Sequence, residues 1–265
     1  MVGSTQRIMI SNLYFDVMNF DQAVSEITEI ANKKQGSCSL VVTPNVDHVM
    51  RARQSESLAR IYRDAILSLA DGMPIVWLSK LIGKKLPCRV TGADLLPALA
   101  TAASKANLSI FLFGGPDGAA ERASAALRSK SPSLKIDCYM PPFGFEKDRN
   151  ENSRAIAAIN RFNPDLLFVG LGSPKQEIWI STHASQLRAG IAIGVGAAIE
   201  FTAGDLKRAP KWMQNSGLEW VYRLMSDPKR LAGRYVANIL FITVVLQEIS
   251  DYLRGKFGFR SKNTP

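Results

Sequence analysis

Five times along the chain a short apolar run breaks into glycine or small polar residues and then into a helix-period pattern. The runs are residues 39–42, 65–70, 109–113, 166–169 and 190–195. Their breaks are Thr43-Pro44-Asn45, Asp71-Gly72, Gly114-Gly115, Gly170-Leu171-Gly172 and Gly194-Val195-Gly196. Apolar runs of this length, bounded by turn residues, read as buried strands. The spacing predicts helices over 46–62, 73–82, 118–130 and from Glu177 to Leu187. Another strand is expected at 136–139, followed by the loop Pro141-Pro142-Phe143-Gly144 and a helix over 153–162. Ahead of these, 7–18 reads as extended, and Asp21 as the cap of a helix ending near Lys34. A helix rich in alanine and leucine follows Thr91-Gly92 and runs to about Ala106.

Strands alternating with helices of this length predict an α/β protein with a Rossmann-like, mainly parallel sheet and helices on both faces. The breaks after the strands then gather along one edge of that sheet. Thr43, Asn45, Asp71, Gly114, Gly172, Gln176 and Gly196 would line a single crevice. The stretch 165–177 is the centre of this reading. Its strand, Gly-x-Gly turn and helix bring backbone N–H groups and a helix N-terminus to the carboxyl edge, where phosphate-bearing ligands settle.

The pattern changes after about Gly204. Residues 205–265 hold eleven Lys or Arg against five Asp or Glu, and a helix starts at Asp227-Pro228 with Arg230 and Arg234 one turn apart. The run 235–246 is apolar except for Asn238 and Thr243. It falls short of the roughly 20 residues that span a bilayer. With Arg254, Lys256, Arg260 and Lys262 beyond it, the run suits a helix lying on an anionic membrane surface; a core helix or oligomer contact is the other reading. The expected organisation is a core over 1–204 and a basic helical appendage over 205–265.

Composition narrows the class. The chain has 265 residues and is 46% hydrophobic, as expected of a soluble globular protein, and its net charge of +10 favours a phosphate-rich partner: nucleic acid, membrane or sugar nucleotide. Cys38, Cys88 and Cys138 form no Cys-x-x-Cys and read as reduced thiols. With no basic leader ahead of an apolar core, a cytoplasmic location is expected. Two histidines, His48 and His183, argue against a histidine-rich metal site, and a structural role is expected for Asp47 and His48.

No P-loop, Ser/His/Asp arrangement or Asp-x-Asp is present, so no metal is expected and a diphosphate would be met by backbone donors and arginines. Arg89, just ahead of Thr91-Gly92, is the first candidate for such an arginine in the core, or else a solvated member of the basic loop 84–89. Asp71 directly follows a buried strand, where partial desolvation raises a carboxyl toward useful basicity, or else Asp71-Gly72 is an ordinary turn. Thr43 and Asn45 offer neutral donors and acceptors for a sugar or a base, or else shape a turn and cap a helix. Gln176 suits orienting a substrate hydroxyl or Asp71, or is an exposed first-turn residue. Two rivals come from other classes. A nicotinamide-dependent oxidoreductase would need Gly-x-Gly-x-x-Gly, but position 175 is Lys and position 199 is Ile. A non-catalytic basic adaptor would bind lipid or RNA in a salt-sensitive way.

Eight ordered stretches together resemble a known family. They are Thr43-Pro44-Asn45, Ala70-Asp71-Gly72, Arg89-Val90-Thr91-Gly92-Ala93-Asp94, Phe113-Gly114-Gly115, Gly170 to Glu177, Gly194-Val195-Gly196-Ala197, Arg208-Ala209-Pro210 and Gly217-Leu218-Glu219-Trp220. Tyr222-Arg223 and Pro228 follow the last of them. The chain is similar over about 10–250 to the WecG/TagA/CpsF glycosyltransferases. The resemblance implies a bacterial enzyme of exopolysaccharide, teichoic-acid or other surface-polymer assembly, peripheral on the inner face of the cytoplasmic membrane. It implies transfer of a sugar, with inversion, from a UDP-sugar to a polyprenyl-diphosphate-linked glycan, without metal or other cofactor and without nucleic acid; a homo-oligomer is compatible with it. It further implies Asp71 as base and a donor site of Thr43, Asn45, Arg89, Thr91, Gly92, Gly114, Gly170, Gly172, Gln176, Gly194 and Gly196. Arg223, Arg230 and Arg234 would meet the lipid diphosphate. The tail here is longer than in the shortest relatives.

Overall fold

The computed structural model describes residues 6–33 and 37–257, apart from the side chains at 215, 230, 231 and 234–237. A hairpin of β1 (Arg7–Ile10) and β2 (Leu13–Asp16) leads to α1 (Phe20–Lys33). The first parallel unit is β3 (Ser39–Val42), α2 (Val46–Gln54), α3 (Glu56–Asp64) and β4 (Leu67–Ser68), followed by α4 (Met73–Leu81) and α5 (Gly92–Lys105). Next come β5 (Ser109–Gly114), α6 (Ala119–Lys130), β6 (Lys135–Tyr139) and, after a short 3-10 turn, α7 (Arg149–Phe162). The central unit is β7 (Leu166–Gly170), α8 (Lys175–His183), β8 (Ile191–Gly194) and α9 (Ala198–Ala203). Four helices complete the described residues: α10 (Lys211–Asn215), α11 (Glu219–Ser226), α12 (Pro228–Ile239) and α13 (Phe241–Phe257).

The main sheet has six parallel strands in the order β4-β3-β8-β7-β5-β6. The chain builds outward from β3 to β4, then from β5 to β6, and fills the centre with β7 and β8. Connections therefore leave the central strands in opposite directions, which opens a crevice at their carboxyl ends. The central strands β7 and β8 are apolar along their whole length because both faces are covered, whereas the edge strand β6 leaves Lys135 and Asp137 exposed. Ile110, Leu112, Leu166, Phe168, Ile191 and Ile193 pack on one side with α1, α5 and α6. Phe111, Phe113, Leu167, Val169 and Ala192 pack on the other with Trp179 and Ile180 of α8.

Several boundaries differ from the sequence expectation, each for a local reason. Asn19, not Asp21, caps α1: its side chain accepts from Gln22 N while the Gln22 side chain accepts from Asn19 N. The helix expected over 46–62 is two, because Ser55 is extended and its hydroxyl accepts from Leu58 N to start α3. Asp148 starts α7 four residues early by accepting from Asn150 N and Glu151 N. The strand expected over 65–70 is reduced to Leu67–Ser68 at the sheet edge. That edge is closed by the hairpin: the buried Asp16 carboxylate accepts from Ser68 N at 2.7 Å and from Arg7 Nε at 2.9 Å. An unpaired edge N–H is thereby satisfied inside the molecule.

The apolar run of the tail also divides. One helix from 228 through 246 was the expectation; instead Thr243 donates to the Leu240 carbonyl and a new helix begins at Phe241. Phe241 and Val244 are buried in a third cluster with Ile10, Leu13, Tyr62, Ile75 and Leu78, so the core-helix reading holds for this face. Ser11 N donates to Glu248 Oε1 at 2.6 Å, and the Tyr252 ring lies against Gly83. The opposite face leaves Ile242, Leu246 and Leu253 exposed, continuous with Ile239 and Leu240. Among the described residues no helix is long and apolar enough to cross a membrane.

Candidate active site

The strand-end loops join one another along the carboxyl edge. Asp71 N donates to the Pro44 carbonyl at 3.0 Å, tying the end of β4 to the loop after β3. Val90 N donates to the Ala70 carbonyl at 2.8 Å, which brings the Arg89–Thr91 segment beside Asp71. Gly92 then packs against Val195 so closely that an added Cβ would lie 3.1 Å from its Cα. Gly196 N donates to Gln176 Oε1 at 3.0 Å, and Gly115 N to the Gly170 carbonyl at 3.1 Å. Thr43, Asn45, Asp71, Arg89, Thr91 and the glycines thus belong to one contiguous rim, with Gln176 beneath it.

The glycines divide into two kinds. At Gly114, Gly170 and Gly194 a Cβ would meet Leu171, Ile199 or Gln176 within 3.0 Å, so these positions are small because neighbouring chain approaches them. Gly172 and Gly196 have φ of +75° and +52° and open space where a Cβ would sit. Of Gly114, Gly170, Gly172, Gly194 and Gly196, only Gly172 and Gly196 leave open space beside the backbone.

Several polar side chains are engaged within the protein. The Thr91 hydroxyl donates to Asp94 Oδ2 and accepts from Asp94 N, capping α5. Asn45 caps α2, and His48 Nδ1 accepts from Asn45 N, which fixes the proton on Nε2. That nitrogen faces Glu177 Oε1 at 3.9 Å, and Gln176 Nε2 donates to the same oxygen at 2.9 Å. Gln176 is 4% exposed, so it lies beneath the rim and holds the Gly196 loop from below, not in the exposed first-turn position. His48 thus has the structural role expected of it, completing the capping box of α2 three residues after Asn45, and Glu177, which received no role from the sequence, is buried beside it.

The charged part of the site comes from both ends of the chain. Glu219, at the start of α11, accepts from Arg89 Nη1 at 2.8 Å and Arg223 Nη2 at 2.9 Å, with Arg208 Nε at 3.3 Å. Gln214 Oε1 accepts from Arg89 at 3.3 Å and Arg208 at 3.1 Å, and Arg208 also reaches Asp94 Oδ1 at 3.2 Å. Arg208 and Arg223 both lie over the Phe201 ring. Burial alone would raise the Glu219 carboxyl, but Arg223, the bond from Arg89 and Arg208 together hold it below the usual range, so it is ionised. Asp71 is half-buried beside this cluster. Desolvation pushes its carboxyl up to about 6; Arg223, Arg89 and Arg208 pull it down and Glu219 pushes it further up. Arg230 and Arg234 lie on α12, but their side chains, like Arg260 and Lys262, are outside the described residues. Arg208, Gln214 and Glu219 received no role from sequence, although a lone acid inside a basic stretch marks a partnered carboxylate.

The chain is 29% identical over 240 residues, 91% of its length, to an N-acetylglucosaminyldiphosphoundecaprenol N-acetyl-beta-D-mannosaminyltransferase of Staphylococcus aureus strain MW2. That alignment covers 92% of the relative, and the protein of the same name from strain NCTC 8325 / PS 47 matches equally. The sequence profile described as the glycosyl transferase WecG/TagA/CpsF family matches residues 8–254. With nearly the whole fold and every loop of the rim inside that match, the chain belongs to the WecG/TagA/CpsF glycosyltransferase family.

Proposed function

We propose that this protein is an inverting glycosyltransferase that moves a sugar from a UDP-sugar to a polyprenyl-diphosphate-linked glycan in bacterial surface-polymer synthesis. The observation that carries the reading is the placement of Asp71, half-buried at the strand edge and next to Arg89, Arg208 and Arg223. Asp71 takes the proton of the acceptor hydroxyl as that oxygen attacks the anomeric carbon. The bond from that carbon to the diphosphate oxygen breaks on the opposite side, and UDP departs with the electron pair. Its charge is met by the arginines and by the backbone of the Gly172 turn, while the Gly196 N–H is held by Gln176. Thr43 and Asn45, on the same rim, suit sugar or base contacts. The named relatives make UDP-N-acetylmannosamine the first donor to test.

The exposed Ile239, Leu240, Ile242, Leu246 and Leu253, with Arg254 and Lys256 in the last turn of α13, suit peripheral contact with an anionic membrane that carries the acceptor. Arg230 and Arg234 belong to the same basic segment, where the acceptor diphosphate would approach.

UDP release from a panel of UDP-sugars, with and without a polyprenyl-diphosphate N-acetylglucosamine acceptor, tests the function. Acceptor-dependent release from one donor is expected; NADH binding with no UDP release from any donor would favour an oxidoreductase. The two kinds of glycine give a second prediction. G172A should fold with a loss of about 1 kcal/mol from the strained backbone and bind UDP more weakly. G170A, whose Cβ would lie 2.8 Å from Ile199 Cδ1, should lose roughly 1–3 kcal/mol of stability. Thermal melts beside UDP titrations separate the two.

A further inference from the structure

Glu219 is an acid where the proposed reaction calls for positive charge. Its carboxylate stands between three guanidiniums that come from separate places: Arg89 ahead of α5, Arg208 in the segment after α9, and Arg223 one turn along α11. It is 9% exposed, and no other described acid is bridged to more than one of these three arginines. Gln214, 4% exposed, repeats the pattern with a neutral oxygen: it accepts from Arg89 and Arg208 and donates to the Ala209 carbonyl at 2.7 Å. The cluster still has donors to spare. Arg223 Nε is buried with no hydrogen-bond acceptor, and Arg208 Nε has only its ion-pair contact with Glu219 at 3.3 Å. Fifteen guanidinium N–H groups, five per arginine, face two Glu219 oxygens, one oxygen of Gln214 and one of Asp94.

We propose that Glu219 is a positioning residue: its carboxylate gathers Arg89, Arg208 and Arg223 into one cradle beside Asp71, ready for a diphosphate that uses their remaining donors. Arg208 thereby joins the donor-diphosphate site, and so does Arg223, which the family resemblance assigns to the lipid diphosphate. The inference rests on the transferase reading and deepens it. Without an anion between them the three guanidiniums repel at close range, and the long side chains would scatter. Removing one negative charge does raise the general attraction for an anion, but that term is screened by solvent and salt. The ordered geometry is lost at contact distance, where a charge-assisted bond is strongest. Assembly of the cradle also couples α10 and α11 to the core, because two of its three arginines and both acceptors from Gln214 and Glu219 follow residue 205.

The test compares wild type, E219Q and E219D in the full chain, by UDP titration, donor kinetics and thermal melts. E219Q keeps the shape and loses the charge; it should weaken UDP binding and raise donor KM by at least about tenfold. E219D keeps the charge on a shorter stem and should recover part of that loss. The acid limb of kcat/KM in E219Q should also move to lower pH, since Glu219, with Arg89, Arg208 and Arg223, is among the charges facing Asp71. Wild-type UDP affinity in E219Q, with only a lower melting point, would overturn the proposal and leave Glu219 as cement between helices. Tighter UDP binding in E219Q would overturn it as well, by making Glu219 a competing anion. If wild type itself does not bind UDP, the transferase reading falls and this inference with it.

Discussion

D71N should lose transfer while keeping its donor site. Removal of a general base typically costs 10²–10⁴-fold, and turnover should fall by about that much. UDP affinity should be unchanged or slightly higher, because the arginines next to Asp71 lose a neighbouring negative charge. In wild type the base must be ionised, so kcat/KM should fall as pH drops through about 6; D71N should show no such limb. Stability moves the other way. The folded-state carboxyl is raised above its ordinary value of 3.8. As pH rises from 4, the unfolded chain gives up this proton first, so folding grows less favourable until the folded carboxyl has also ionised, above about 6. Asn carries no such penalty. D71N should be more stable than wild type by about 1–3 kcal/mol at pH 7.5, a difference that vanishes near pH 4. Paired melts at the two pH values measure it; equal turnover in D71N would remove Asp71 from its role.

F241A should unfold the protein more readily than any change on the outer face of the same helix. Phe241 is 7% exposed and packs with Val244 among Leu13, Tyr62 and Ile75, so truncation leaves a cavity worth about 3–5 kcal/mol. For a protein of this size that is a fall in Tm of roughly 6–15 °C. L246S, on the exposed face, should change stability by less than about 0.5 kcal/mol. Its effect belongs to the membrane: binding to vesicles with anionic headgroups should weaken in L246S at unchanged Tm. A large Tm loss in L246S would mean that the outer face is covered in the native protein.

The sheet was legible because a strand buried on both faces has to be apolar, and 110–113, 166–169 and 190–195 are. The rim was legible because such strands end in glycine or small polar residues at the same edge, which placed Asp71, Gly172 and Gly196 together from sequence alone. Boundaries set by single side chains were less so. Ser55 splitting a helix, Asn19 displacing Asp21 as a cap and Thr243 opening α13 are each one hydrogen bond in a pattern that also reads as continuous helix. The arginine cradle was the least legible part. Arg89 and Glu219 are 130 positions apart, and no local period records that they meet. Nor does spacing distinguish a glycine that faces a ligand from one that faces Ile199; that difference appears only once the loops are folded against one another.

Solving the structure with UDP bound tests the central claim most directly. The diphosphate should lie against the backbone of Gly172 and Gly196, within hydrogen-bond reach of the Arg89–Arg208–Arg223 cradle, with the Asp71 carboxylate facing the side where the sugar would extend. Nucleotide found instead in the groove between α1 and α5, around Phe20, Thr28 and Ala102, with the carboxyl edge empty, would contradict the account.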